Sequence, residues 1–191
     1  MTTRRRILVT SALPYANGAI HLGHMLEHVQ TDIFVRFQRL QGHECIYVCA
    51  DDVHGTAVML NAQAAGQTPL DYAAEITKAH IQDFQAFQIS HDCYDSTHSK
   101  DNEQLSAEIY SRLLASGNIE KAAVEQLFDT EKGLFLADRF VVGGCPSCKT
   151  PEQYGDNCDA CGATYAATDL IDPRSKLSGS KPELRTSEHI F

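Results

Sequence analysis

The chain has 191 residues and a formal net charge of −9, with hydrophobic residues at 43% and charged residues at 21%. That composition suits one ordinary globular domain or two small ones, and excludes disordered, collagenous and low-complexity chains. No apolar run approaches the roughly 20 residues of a bilayer span, and Arg4–Arg6 lead directly into Ile7-Leu8-Val9 without the apolar stretch of an export signal, so the expectation is a cytoplasmic, membrane-free protein.

Charge is unevenly spread. Residues 1–42 sum to +3, residues 43–75 to −5 and the remainder to −7. No block has the strongly basic balance of a phosphate-backbone binder. Any main grip on nucleic acid therefore falls outside this chain, and Arg4–Arg6 read as solvated charge.

Arg6 to Ser11 reads as a short buried strand. Pro14 to Gly18 has turn chemistry around Pro14 and Asn17-Gly18. From about Leu22 to Gln41 the periodicity predicts an amphipathic helix. At 100° per residue, Leu22, Leu26, Val29, Ile33, Phe37 and Leu40 fall within a roughly 80° stripe, the expected core face, and Gly42 supplies the stop. His43 to Ala50 reads as a second buried strand. A helical stretch to Gly66 follows Asp51-Asp52-Val-His-Gly55. Thr68 caps another helix with Pro69 in its first turn, running to about Phe87, and Ser99 caps one ending at Gly117. Alternating strand and helix predicts an α/β fold with a parallel, doubly wound sheet, helices on both faces.

Past Asn118 the sequence turns to Gly, Pro, Cys and short strand-like runs, which reads as a small β-rich module. The expected division is residues 1–117 and 118–191. The segment from Asp172 is polar and ends on His189-Ile-Phe191 as though a strand were starting, which reads as a cut chain.

Seven cysteines without an export signal suggest reduced thiols or metal ligands more than disulfides. Cys45, Cys49 and Cys93 sit in strand-like surroundings and read as small core residues. The other four form two knuckles, Cys145-Pro-Ser-Cys148 and Cys158-Asp-Ala-Cys161. Each presents two thiolates from one tight turn, with Gly155 and Gly162 placed for sharp turns, and two such knuckles close a tetrahedral zinc site. With no open position, that single zinc would be structural. A redox CxxC would need a helix start in a thioredoxin-like unit, which this region lacks.

The second constellation lies between Pro14 and His24. A buried strand, a glycine-containing turn and a helix start offer free N–H groups and a positive dipole end to a phosphate. Gly23 in the first helical turn costs about 1 kcal/mol against Ala, acceptable where a flat ligand approaches the backbone. His21, His24 and His28 project into a roughly 60° wedge away from the apolar stripe. Two rival motifs are weak. Gly18-x-x-x-x-Gly23 has P-loop spacing without its Lys or its Ser/Thr. His24-Met-Leu-Glu27-His28 matches the inverted zinc-peptidase pattern, but follows a phosphate-type turn.

The stretch Pro14-Tyr-Ala-Asn-Gly-Ala-Ile-His-Leu-Gly-His24 resembles the signature of the class I aminoacyl-tRNA synthetases, in its methionine-specific form, with His21-Leu22-Gly23-His24 in place of H-I-G-H. The likeness runs on through Ala50-Asp-Asp-Val-His-Gly-Thr56 and Ser96-Thr-His-Ser99 to the cysteine module, covering essentially the whole chain. It implies that His21 and His24 hold the ATP phosphates, with Mg²⁺ accompanying ATP, and that Pro14 and Gly23 border the nucleotide, Gly23 letting adenine lie against the helix start. It also implies that Leu13 and Tyr15 line a methionine pocket and that Asp52 pairs with the α-ammonium. Residues alone do not choose between Asp51 and Asp52.

The implied fold is the first half of a Rossmann-like catalytic domain followed by part of a zinc-bearing insertion. The implied partners are methionine, ATP and tRNA, with a homodimer forming through regions outside this chain. The family's second loop, K-M-S-K-S, is not in these 191 residues. Lys176-Leu-Ser178 and Gly179-Ser-Lys181 resemble it only superficially, so the chain alone is expected to be inactive. A nucleotidylyltransferase sharing the H-x-G-H site is the alternative, against which the four-cysteine insert argues.

Overall fold

The contiguous apolar runs form the expected buried strands. β1 (Arg6–Thr10), β2 (Glu44–Asp51) and β3 (Cys93–Ser96) make a parallel sheet in the order β1-β2-β3. Leu8 lies opposite Ile46, and Asp51 opposite Ser96. The computed structural model describes residues 3–191. These divide into two units, one reaching Tyr110 and the other Ser111–Phe191. The division falls inside α4 (Lys100–Ala115), slightly ahead of the boundary read from the sequence.

The helices of the first unit start and stop where the capping chemistry directs. Thr68 Oγ1 accepts from the Asp71 amide at 3.1 Å ahead of α3 (Pro69–Ala86). Ser99 Oγ accepts from the Asn102 amide at the start of α4. α2 (Thr56–Ala65) ends at Gly66 in the left-handed region, φ +69°.

α1 (Leu22–Leu40) corrects the sequence reading. Its buried residues are Met25, His28, Asp32, Val35 and Gln38, while Leu22, Leu26, Ile33, Phe37 and Leu40 face solvent. The apolar stripe is therefore not the core face of this chain. What packs on the strands is a mixed face, on which Asp32 is fully hydrogen-bonded. Val35 joins Cys45 and Tyr47 in a core with Ile7, Val9 and Ile89. Asp32 receives Arg36 Nε, the Ser90 amide at 2.8 Å and the Ser90 hydroxyl. Burial pushes Asp32 up, but those bonds outweigh it and hold the carboxyl below its ordinary range. Cys93, expected in the core, is exposed, because β3 is an edge strand.

The second unit is β-rich, as its composition predicts. β4 (Lys121–Asp129) pairs antiparallel with β5 (Leu134–Phe135) and β9 (Glu183–Ile190). β6 (Val141–Gly144) pairs antiparallel with β7 (Gln153–Tyr154) and β8 (Ile171–Ser175). Leu127, Leu136, Val141 and Leu170 form its core. The terminal segment holds a full strand, β9, rather than a strand's beginning. Its mostly exposed residues give no alternation to read.

Candidate nucleotide and metal sites

The carboxyl ends of all three parallel strands carry the segments that stood out in the sequence: Ser11–His24 after β1, Asp52–Gly55 after β2, Thr97–Ser99 after β3. Backbone bonds lace them together. Ala16 N–H donates to Asp52 O and Asp52 N–H to Pro14 O, both at 2.8 Å, and Thr97 N–H donates to Asp51 O at 2.9 Å. This is the end of an open α/β sheet where ligands bind.

At the start of α1, His21 is the N-cap. Its Nδ1 accepts from the Gly23 amide at 3.1 Å, and His24 Nδ1 accepts from the His21 amide at 3.4 Å. The two rings stack with centroids 3.7 Å apart. Gly23 suits that cap, since a Cβ would lie 3.0 Å from the His21 ring and press on it. With both Nδ1 atoms turned to backbone amides, the tautomer with its proton on Nε2, free to donate, is favoured. Burial, then the neighbouring His21 and His80, lowers the pKa of His24, which favours that neutral form.

His28 is not part of this pair. It is 1% exposed and points into the sheet, while Glu27 accepts from the Ala12 amide at 2.6 Å. The literal zinc-peptidase pattern therefore has no metal-binding geometry. The wedge of three histidines read from the sequence divides into two on the surface and one in the core.

The structure also separates the tandem aspartates. Asp51 is fully buried. Its Oδ1 accepts from His80 Nδ1 at 2.8 Å and from Tyr94 OH at 2.6 Å. His80 Nε2 donates at 2.8 Å to Gly18 O, in the signature turn. Both ring nitrogens thus face acceptors, so His80 is an imidazolium. Burial lowers its pKa, but the bonds to Asp51 and Gly18 outweigh this and leave it raised. Desolvation, then the bond to Asp51, raises Tyr94. Asp52, one residue past β2, is half-buried; its backbone pairs with that of Tyr15, and its Oδ1 faces the His54 amide at 3.4 Å. Tyr15 lies over Gly55, where φ is +114° and a Cβ would sit 2.7 Å from the tyrosine hydroxyl. Leu13 is largely exposed and Pro14 buried. Sequence reasoning missed His80 and Tyr94. Their only sequence signal was polar residues on otherwise core-facing elements.

In the second unit the two knuckles converge. Cys145 Sγ lies 3.9 Å from Cys161 Sγ, and Cys148 Sγ lies 3.6 Å from Cys158 Sγ. A tetrahedron with metal–sulfur bonds of about 2.3 Å has edges of about 3.8 Å, so the cluster can hold a metal ion. Electrostatics agrees. The Thr150 hydroxyl and amide pull the Cys148 thiol down to about 6. At Cys161 the Ala163 amide pulls down, but the sulfurs of Cys148 and Cys158 outweigh it and leave the thiol at about 12. Four sulfurs at this spacing could all be thiolates together only around a central cation.

Each knuckle closes through a left-handed residue, Lys149 at φ 64° and Gly162 at φ 72°. Gly155 makes no such turn; its Cβ would meet Asp138 O and Ala167 Cβ at 2.8 Å. Lys176–Ser180, with its superficial likeness to a catalytic loop, is structural. Ser175 and Ser178 hydroxyls donate to the buried Asp129 at 2.5 and 2.7 Å.

The family model described as tRNA synthetases class I (M) matches residues 7–191. Methionine–tRNA ligases of Neisseria gonorrhoeae and Neisseria meningitidis serogroup B are 62% and 60% identical over 187 residues. The alignments cover 98% of this chain, which spans 27% of the length of those relatives. Among solved structures, Mycobacterium tuberculosis methionyl-tRNA synthetase bound by methionyl-adenylate superposes with a TM-score of 0.67 at 21% identity, over 98% of this chain and 32% of that one. An Agrobacterium radiobacter LeuRS in complex with tRNA and LeuAMS gives 0.69 at 14% identity, over 100% and 21%. These two likenesses establish the fold, and the family match establishes kinship: the chain belongs to the class I tRNA synthetases of the methionine type.

Proposed function

We propose that these residues are the N-terminal part of a cytoplasmic methionine–tRNA ligase, which joins methionine to ATP as methionyl-adenylate and passes the methionyl group to the 3′-terminal adenosine of its tRNA. The observation that carries this reading is the stacked pair His21 and His24, whose outward Nε2–H groups stand at a helix N-terminus beside the signature turn. Two such donors suit the phosphate oxygens of ATP, and their hydrogen bonds strengthen as negative charge grows on the leaving pyrophosphate, with Mg²⁺ accompanying ATP. Pro14 and Gly23 border the nucleotide.

Leu13 and Tyr15 form an aliphatic and an aromatic wall for a thioether, and Asp52 takes the α-ammonium. The division of labour between the aspartates supports that role, because Asp51 is spent on His80 and Tyr94. The four-cysteine cluster holds a structural zinc that keeps the insertion folded. The rest of the protein supplies the second signature loop, the main tRNA surface and any dimer contact. The isolated chain accordingly has no activity.

In the full-length protein, Asp52→Ala should raise the methionine KM and slow adenylate formation by an amount equivalent to about 3–5 kcal/mol, as a charge loses its partner. ATP–pyrophosphate exchange against methionine concentration reads this directly. An unchanged methionine dependence would make Asp52 a turn residue only.

A further inference from the structure

One polar cluster in the first unit takes no part in the proposed reaction. His28 on α1, Cys49 on β2 and His91, just ahead of β3, bring one ligand atom each within 4.8 Å of the others. His28 and Cys49 are buried and His91 partly so.

The contacts at His28 are poorly explained as hydrogen bonds. His28 Nδ1 has three neighbours, His91 Nε2 and Tyr47 OH at 3.3 Å and Ser11 Oγ at 3.4 Å. One imidazole nitrogen has a single lone pair or a single proton, so it cannot serve all three, and none is at ordinary bonding length. The Cys49 sulfur accepts from Ser11 Oγ at 3.4 Å, while its own S–H has only carbonyl oxygens at 3.8–3.9 Å.

The spacing is instead that of ligands around an ion. Metal–nitrogen bonds of about 2.0–2.1 Å give a tetrahedral edge of about 3.3–3.4 Å, the distance between the two ring nitrogens. The same arithmetic accounts for the sulfur separations in the four-cysteine cluster. Moving Cys49 Sγ by about 1 Å brings it to bonding distance.

We propose that His28, Cys49 and His91 form a second metal site, for Zn²⁺, separate from the four-cysteine cluster. Binding forms two Zn–N bonds and one Zn–S bond, and the Cys49 thiol releases its proton to solvent. Ser11 Oγ and Tyr47 OH offer oxygen for the fourth position. Burial lowers both histidines, His91 to about 4, so their lone pairs are free at neutral pH. Of the three, His91 also lines a cavity of ≈ 120 Å³, with Phe84 and Tyr94. A bound ion would tie α1, which carries His21 and His24, to β2, which leads into Asp52.

The test is zinc stoichiometry of the full-length protein after equilibration with Zn²⁺ and desalting, set against His91→Phe, His91→Gln and Cys49→Ala, each checked for native circular dichroism and melting. The expected result is a second zinc per chain in the wild type that all three variants lose, each keeping the first. With Co²⁺ instead, Cys49→Ala should remove the thiolate charge-transfer intensity of one sulfur. A wild type that retains one zinc, or a second zinc that survives in the variants (held, for example, by His54 and His98, whose exposed ring nitrogens lie 3.1 Å apart), overturns the proposal.

Discussion

The two candidate sites are built in opposite ways. The four cysteines lie within a 17-residue span, and each knuckle is closed by its own turn. The nucleotide turn is held by groups from far along the chain: Gly18 by His80, Pro14 and Ala16 by Asp52, and Asp51 by Tyr94. A local site survives or fails with its metal. A distributed site survives or fails with the sheet and helices that bring its parts together, so damage at a distance should reach it.

The largest expected effect sharpens the local half of that contrast. Structural zinc binding contributes on the order of 10 kcal/mol in isolated knuckle peptides. Cys158→Ser should therefore release the ion and unfold the second unit, while the parallel sheet and α1 keep their structure. Metal analysis with hydrogen exchange resolved by segment would show it. Metal-free protein with a fully protected second unit would break the comparison.

The distributed half is tested at His80. Removing one partner of a buried pair costs about 3–5 kcal/mol, so His80→Ala should destabilise the first unit by that order and loosen the signature turn through Gly18. Because the folded pKa of His80 is raised, its contribution is complete below about pH 6.5 and is lost as pH rises through the folded value. The gap in denaturation midpoint between wild type and variant should thus narrow toward alkaline pH. A gap independent of pH would mean that the ring is only a space-filler.

A smaller effect belongs to Asp129 in the second unit. Burial raises its pKa, but Ser175, Ser178 and the amides of Lys132 and Glu131 outweigh this and hold it at about 2. This depressed value contributes about 2 kcal/mol above the unfolded pKa near 4, lost as pH falls toward 2. Asp129→Asn should show that loss at neutral pH, measured by urea denaturation. Wild-type stability would remove Asp129 from the account.

The same contrast explains what the sequence could tell. The cysteine knuckles and the Pro14–His24 signature are short, contiguous patterns, and they were legible, as were the caps at Thr68 and Ser99. The face of α1 was not. Hydrophobic periodicity assigns burial to the most apolar stripe, whereas in this chain the buried face includes His28, Asp32 and Gln38. Their neighbours, Ser90 at Asp32 and His91 at His28, are distant in sequence, which periodicity cannot see. The choice between Asp51 and Asp52 was hidden for the same reason. It depends on His80 and Tyr94, 29 and 43 residues further on.

The most direct test of the central claim, that the stacked His21 and His24 grip ATP phosphates as charge redistributes, is pyrophosphate exchange by the full-length His24→Ala variant at saturating methionine. Loss of one such donor should lower kcat by about 10²–10³-fold, while the KM for ATP moves much less. An unchanged kcat, or a loss confined to the KM for ATP, would contradict it.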